Sequence, residues 1–264
     1  MSQTSRACVR NYGQGARSAL ALHCTLAHSG AWRGLAAALE PHLSLVAVDL
    51  PGHGNSPDWD VAQDFHAQCT QTAQRYLTEP MDVIGHSFGA TVALRLAVEH
   101  PRMIRSLSLI EPVFFAAALA DAPDQMAAHT TATTPCFRAL ERGDARVAAR
   151  LFNRFWGDGT AWSDISELTR RYMADRMHLV PAQAGAILDD NAGLLATGAL
   201  TRVQMPVLLL QGDQSPAIVD AIHTSLAARL PNVRRQEIIG AGHMAPITHP
   251  KAVANEVRAL LEIA

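Results

Sequence analysis

The chain has 264 residues, 48% of them hydrophobic and 17% charged, with a formal net charge of -2. That size and balance suit one globular unit carrying an insertion, and they exclude a disordered or low-complexity chain. The near-neutral charge and 5% aromatic content leave no basic footprint or stacking platform for nucleic acid, and polar residues interrupt every apolar run before it could span a membrane.

In chain order the pattern predicts a strand over 18–22, a helix over 32–39, a strand over 43–48 and a helix over 60–77. A strand over 81–84, a helix over 88–99 and a strand over 104–110 follow. The alternation then stops. From Pro112 to about residue 202 the chain reads as successive helices, with apolar residues at helical spacing over 137–156 and 162–179. It resumes with a strand over 207–210, a helix over 218–229, a strand over 235–239 and a helix over 252–261. Prolines 80, 101, 206, 231 and 250 punctuate the boundaries. Runs such as Val207-Leu208-Leu209-Leu210 do not alternate with polar residues, so both faces are buried, as in a parallel sheet covered on each side. The expected fold is α/β, a mostly parallel central sheet flanked by helices. Residues 1–111 and 203–264 would form the core, and 112–202 a helical cap over the strands' C-terminal ends, where open α/β sheets bind ligands.

Cys8, Cys24, Cys69 and Cys136 have no paired spacing and no histidines at zinc-ligand distance, so neither metal nor disulfide is expected. Met1 to Arg6 lacks the apolar core of a leader, and the expectation is a soluble cytoplasmic chain with reduced thiols.

The central chemical signal is Gly85-His86-Ser87-Phe88-Gly89, directly after the predicted strand Met81-Asp82-Val83-Ile84. So tight a strand-to-helix turn strains its tip residue and requires tiny neighbours two positions away, leaving the Ser87 hydroxyl alone above the sheet. The bland reading is a glycine-rich turn whose serine caps the helix. A neutral hydroxyl needs a base. His243, in Gly240-Ala241-Gly242-His243 after the last predicted strand, can swing an imidazole to the same sheet edge.

Leu22-His23-Cys24-Thr25, Val48-Asp49-Leu50-Pro51-Gly52-His53-Gly54-Asn55-Ser56, Gly85-His86-Ser87-Phe88-Gly89 and Gly242-His243 occur in the order and spacing of the α/β-hydrolase superfamily, which the chain resembles from about Ser18 onward. The resemblance implies an oxyanion hole made of the Phe88 and Thr25 amides, although this chain has His23-Cys24 where the family usually has His-Gly. The family's usual acid falls at position 215, which here is a serine. Two carboxylates remain: Glu111, at the end of the strand after the nucleophile's, where haloalkane dehalogenases place theirs, and Asp213 as the alternative. Their bland readings are a hinge residue and a turn former.

Asp49 and the Pro51-Gly52-His53-Gly54 turn read as shapers of the adjoining loop, and Cys24 as a small packed residue. His23, Trp156 and Trp162 are candidate substrate contacts, though aromatics at helical spacing are often plain core. No phosphate loop or dinucleotide fingerprint is present, and no cofactor is expected. The resulting expectation is a serine hydrolase acting on a small carboxylic ester or thioester. The alternatives are carbon–carbon bond hydrolysis of a diketone, cofactor-free perhydrolysis, or a ligand-binding protein with weak turnover. Serine at position 87 speaks against dehalogenase or epoxide hydrolase chemistry, whose relatives carry Asp there. The expected partner is a small molecule, with no nucleic acid and no membrane.

Overall fold

The computed structural model describes residues 7–264. Seven strands form one sheet: β1 (Val9–Tyr12), β2 (Arg17–Leu22), β3 (Leu43–Val48), β4 (Met81–His86), β5 (Ile104–Ile110), β6 (Val207–Gly212) and β7 (Val233–Ile238). Their order across the sheet is β1-β3-β2-β4-β5-β6-β7, and every pairing is parallel except β1 with β3. The pattern did not predict β1. Its four residues, Val-Arg-Asn-Tyr, lie on an edge and are at most half-buried, so they need no continuous apolar run.

The helices are α1 (Arg33–Leu39), α2 (Phe65–Gln74), α3 (Phe88–Glu99), α4 (Phe115–Asp121), α5 (Pro123–Glu141) and α6 (Ala145–Trp156). They continue with α7 (Glu167–Arg176), α8 (Leu179–Ala182), α9 (Ala184–Ile187), α10 (Ala217–Ala227), α11 (Ala245–Thr248) and α12 (Pro250–Leu261). Successive strand residues point to opposite faces, and the core divides accordingly. Leu20, Leu22, Val83, Leu107, Leu109, Val207 and Leu209 join α2, α3 and α10. Ala19, Ala21, Ile84, Ile110, Leu208 and Leu210 join α1 and α12. Each buried leucine contributes about 1.5–3 kcal/mol relative to exposure.

Two predicted helices differ in extent. The helix expected over 60–77 begins at Phe65 because Asp64 caps it, accepting from the Ala67 amide at 2.7 Å. The run 137–156 is broken between α5 and α6, where Gly143 adopts a φ of 78° that a side-chain-bearing residue resists. Within the segment between β5 and β6, α4 packs on α10, and Phe114 to Ala118 belong to the sheet's own core. Residues of α5 to α8 form a separate cluster, including Cys136, Ala139, Ala148, Ala149, Met177 and Val180, which Leu26 joins from the loop after β2.

At the sheet's N-terminal edge, Asp82 is buried and receives Arg17 at 2.8 and 3.0 Å, Arg105 at 3.1 Å and Ser106 Oγ at 2.8 Å. These bonds tie β2, β4 and β5 together, and the opposite edge is left to the site.

Candidate active site

Between β4 and α3, Ser87 sits at φ 57° and ψ -121°, outside the regions where side-chain-bearing residues are relaxed. A Cβ on Gly85 would collide with Gly89 and Ala90, and one on Gly89 with the carbonyl oxygens of Leu22 and His23. The two glycines therefore let the turn close and let α3 start against the end of β2. The Ser87 amide donates to the Ile110 carbonyl at 2.9 Å, which fastens the turn to β5.

His243 lies in the loop between β7 and α11. Its Nε2 is 3.0 Å from Ser87 Oγ, and its Nδ1 is 3.0 Å from Glu111 Oε2. Glu111 follows β5, is fully buried and has a φ of 52°. Its amide donates to Leu210 at 2.9 Å, while Oε1 accepts from the Gly212 amide at 2.7 Å and from Ser215 Oγ at 2.6 Å. Burial pushes the Glu111 carboxyl up, but the bonds from His243, Ser215 and Gly212 outweigh it and hold the group below its ordinary value. An ionised carboxylate only accepts, so Nδ1 carries the proton and Nε2 is free to accept from the Ser87 hydroxyl.

Asp213, the alternative acid, is exposed and accepts from the Gly240 amide at 2.7 Å, supporting the loop that leads to His243 rather than the imidazole. Ser215, at the position where the usual acid was expected, is a hydroxyl donor to the Glu111 carboxylate. His86 Nε2 donates to the His243 carbonyl at 2.8 Å, and burial holds its imidazole down at about 3, so it braces the loop as a neutral ring.

The Phe88 amide, in the first turn of α3, and the Thr25 amide have no acceptor among the described residues. Thr25 and Ser87 both line a cavity of about 380 Å³ walled by α5, α6 and the α8–α9 segment. Its walls are mostly apolar. Trp156 lines it, with its ring centroid 4.5 Å from that of His243.

Two candidate substrate contacts are corrected. His23 is 1% exposed, donates from Nδ1 to its neighbour Cys24's carbonyl at 2.8 Å and accepts the Leu50 amide on Nε2 at 3.0 Å. It joins two loops and does not line the cavity. Trp162 lines a separate recess with Arg150 and Thr160 on the outer side of α6. Helical spacing gave no sign of which side that indole would face. Asp49 shapes its loop as expected, accepting from Ser29 at 2.6 Å and Asn55 at 3.0 Å. Burial pushes the Cys24 thiol up to about 12, which removes it as a nucleophile.

Two cavity residues carried no sequence signal. Gln183, between α8 and α9, accepts the Thr25 hydroxyl on Oε1 at 3.0 Å and so ties α8–α9 to the loop after β2. His129, on α5, stacks on Phe115 with ring centroids 4.6 Å apart. Neither belongs to a motif, and one glutamine or one of twelve histidines does not stand out.

A model of the alpha/beta hydrolase family matches residues 19–256. The chain belongs to that family. It is 29% identical over 251 residues to a pimeloyl-[acyl-carrier protein] methyl ester esterase of Aeromonas hydrophila, covering 92% of this chain and 94% of that one. It is 26% identical over 281 residues to the lipase LipV of Mycobacterium tuberculosis, covering 96% and 97%. An alpha/beta hydrolase from a Medee basin deep-sea metagenome superposes with a TM-score of 0.77 at 14% identity, covering 97% of this chain and 94% of that one. The carboxylate facing the imidazole comes from the end of β5 and not from the turn after β6, where the usual acid was expected.

Proposed function

We propose that the protein hydrolyses a small carboxylic ester or thioester through an acyl-enzyme on Ser87, with His243 as general base and Glu111 as the acid that orients it. The observation that carries this reading is the continuous line from Ser87 Oγ through the imidazole to Glu111, with 3.0 Å at each step. His243 Nε2 takes the Ser87 proton as Oγ adds to the carbonyl carbon, and the Phe88 and Thr25 amides receive the oxyanion. The imidazolium, balanced by Glu111, passes its proton to the departing alkoxide or thiolate as the C–O or C–S bond breaks. Water, deprotonated by His243, then adds to the acyl-serine, and Ser87 leaves with its proton restored.

Within 112–202, where α4 belongs to the core, α5 to α9 act in this reading as a cap whose apolar cavity takes the acyl chain, a role in keeping with the ester-cleaving names of the relatives. The four cysteines are free, which suits the reducing cytoplasm. The binding-protein alternative rested on Ser215 standing where the usual acid falls, and the Glu111 carboxylate 3.0 Å from His243 Nδ1 weighs against it.

A fluorophosphonate probe followed by peptide mass spectrometry tests the reading, because such a probe needs an activated serine and an oxyanion hole. One adduct on Ser87, absent in His243→Ala, together with turnover of short p-nitrophenyl esters, is the expected outcome. A folded protein that takes no adduct, or whose adduct persists in His243→Ala, would refute it.

A further inference from the structure

The cavity above Ser87 holds several polar side chains, and most are already engaged with the protein. Thr25 Oγ1 donates to Gln183 at 3.0 Å, Thr133 Oγ1 to the His129 carbonyl at 2.9 Å, and Cys136 Sγ to the Ala148 carbonyl at 3.3 Å. Two enclosed groups are not: the Gln183 Nε2, without a partner among the described residues, and the imidazole of His129. Its Nδ1 is enclosed without a partner, and neither ring nitrogen has a hydrogen-bond partner among the described residues. Phe115 stacks on the ring with centroids 4.6 Å apart, while Phe155 at 5.4 Å and Trp156 at 5.6 Å close other sides. No carboxylate among the described residues lines the cavity beside it, and burial alone lowers its pKa to about 4, so the ring is neutral near pH 7.

Trp156 also touches His243, with centroids 4.5 Å apart, so His129 stands one indole beyond the base, on the wall that an acyl chain would follow. With the proton on Nε2, only a lone pair is enclosed among aromatic carbons and the N–H is left for a partner. The opposite tautomer would enclose an unpaired N–H, the costlier choice.

We infer that His129 is a specificity-determining residue whose Nε2–H donates to an oxygen carried on the distal part of the substrate's acyl chain. The preferred substrate class is therefore an ester or thioester whose acyl group bears a second oxygen function, such as a carbonyl, ester or hydroxyl, several bonds from the scissile carbonyl. A cationic imidazole would favour a carboxylate there, whereas a neutral one in apolar walls favours an uncharged acceptor. This inference rests on the hydrolase reading and adds the recognition element to it.

The test compares p-nitrophenyl esters of equal acyl length, one plain alkanoyl and one ending in a methyl ester, on wild type and His129→Phe. Wild type should favour the oxygenated ester about tenfold in kcat/KM, chiefly through KM, as one buried hydrogen bond provides. His129→Phe should lose that preference, read as the ratio of the two esters, and His129→Gln, which keeps a donor, should retain part of it. An equal preference in His129→Phe, or none in wild type, overturns the inference while leaving the hydrolase reading intact. Failure of wild type on both esters would instead overturn the hydrolase reading. Should His129→Phe fail to fold, Ser87→Ala labelled with 15N-histidine decides. Its His129 Nε2 resonance should move on adding the oxygenated ester and stay put with the alkanoyl one, and identical responses would refute the assignment.

Discussion

Glu111→Gln is the sharpest perturbation of the proposed machinery, because the structure dictates how a glutamine would sit there. Oε1 receives two donors, the Gly212 amide and Ser215 Oγ, and only the amide oxygen of glutamine can keep both. The NH2 then occupies the place of Oε2 opposite His243 Nδ1, at the present 3.0 Å. An NH2 only donates, so Nδ1 must accept and the imidazole proton moves to Nε2, where it faces the Ser87 hydroxyl it should receive from. The charge balancing the imidazolium disappears as well. At a separation of about 4 Å and an effective dielectric of about 20, that attraction amounts to about 4 kcal/mol, or roughly three decades of rate. With the wrong tautomer added, kcat should fall about 10⁴-fold, as acid-to-amide changes in such triads do. Steady-state turnover of a p-nitrophenyl ester measures this, with a denaturant melt to show that the variant is folded. If Glu111→Gln stays within about tenfold of wild type, or Asp213→Asn costs as much, the assignment of the acid is wrong.

Gly89→Ala places a methyl group against the Leu22 and His23 carbonyls, backbone atoms that cannot yield. It should destabilise by about 1–3 kcal/mol in urea and abolish labelling of Ser87, since α3 must retreat from β2. His223 is fully buried with both ring nitrogens unpartnered among the described residues, and burial lowers its pKa from 6.5 to about 4. The unfolded chain binds this proton below 6.5 and the folded chain only near 4, so stability is complete above 6.5 and is lost as pH falls between those values. The penalty reaches about 2 kcal/mol at a pH of about 5, and His223→Met should flatten the pH dependence of the thermal midpoint by that amount. An unchanged slope would count against it. Asp82→Asn leaves Arg17 and Arg105 without their buried counter-charge at the far edge of the sheet. It should cost about 1–3 kcal/mol in a denaturant titration, because both arginines reach solvent, while kcat at low temperature remains near wild type.

The parallel strands were legible because burial on two faces leaves an uninterrupted apolar run, as in Val207-Leu208-Leu209-Leu210. Edge strand β1 was illegible for the converse reason, since its arginine and asparagine satisfy an open flank and mimic a loop. The structure brings Ser87, His243 and Glu111 within hydrogen-bond reach of one another, and the sequence offered them by their places at strand ends and beside glycines. Side-chain direction was another matter. Trp156 and Trp162 looked alike in the sequence, yet one covers His243 and the other lines an outer recess, a difference set by helix packing. His23 looked like a pocket residue because it adjoins the oxyanion loop, but the Leu50 amide claims its free nitrogen. Gln183 and His129 come from helices whose placement over the sheet is decided by long-range packing, which local periodicity does not encode.

The amides of Ser87 and Glu111 each continue a ladder, one to Ile110 and the other to Leu210, so the ends of β4, β5 and β6 are stitched into a single ledge. On such a ledge the acid is a tenant of a location rather than of a strand. Ser215 Oγ lies 2.6 Å from the carboxylate it serves, and a carboxylate placed there would approach the same imidazole from the neighbouring strand end. A lineage could therefore hand the acid from one strand to the next through a form bearing both, without shifting the backbone. In this chain the carboxylate stands immediately before Pro112, where the helical segment departs. Changes in the roof and changes in the acid are then no longer independent, while the turn after β6 stays tied to both through the Gly212 amide and Ser215 Oγ.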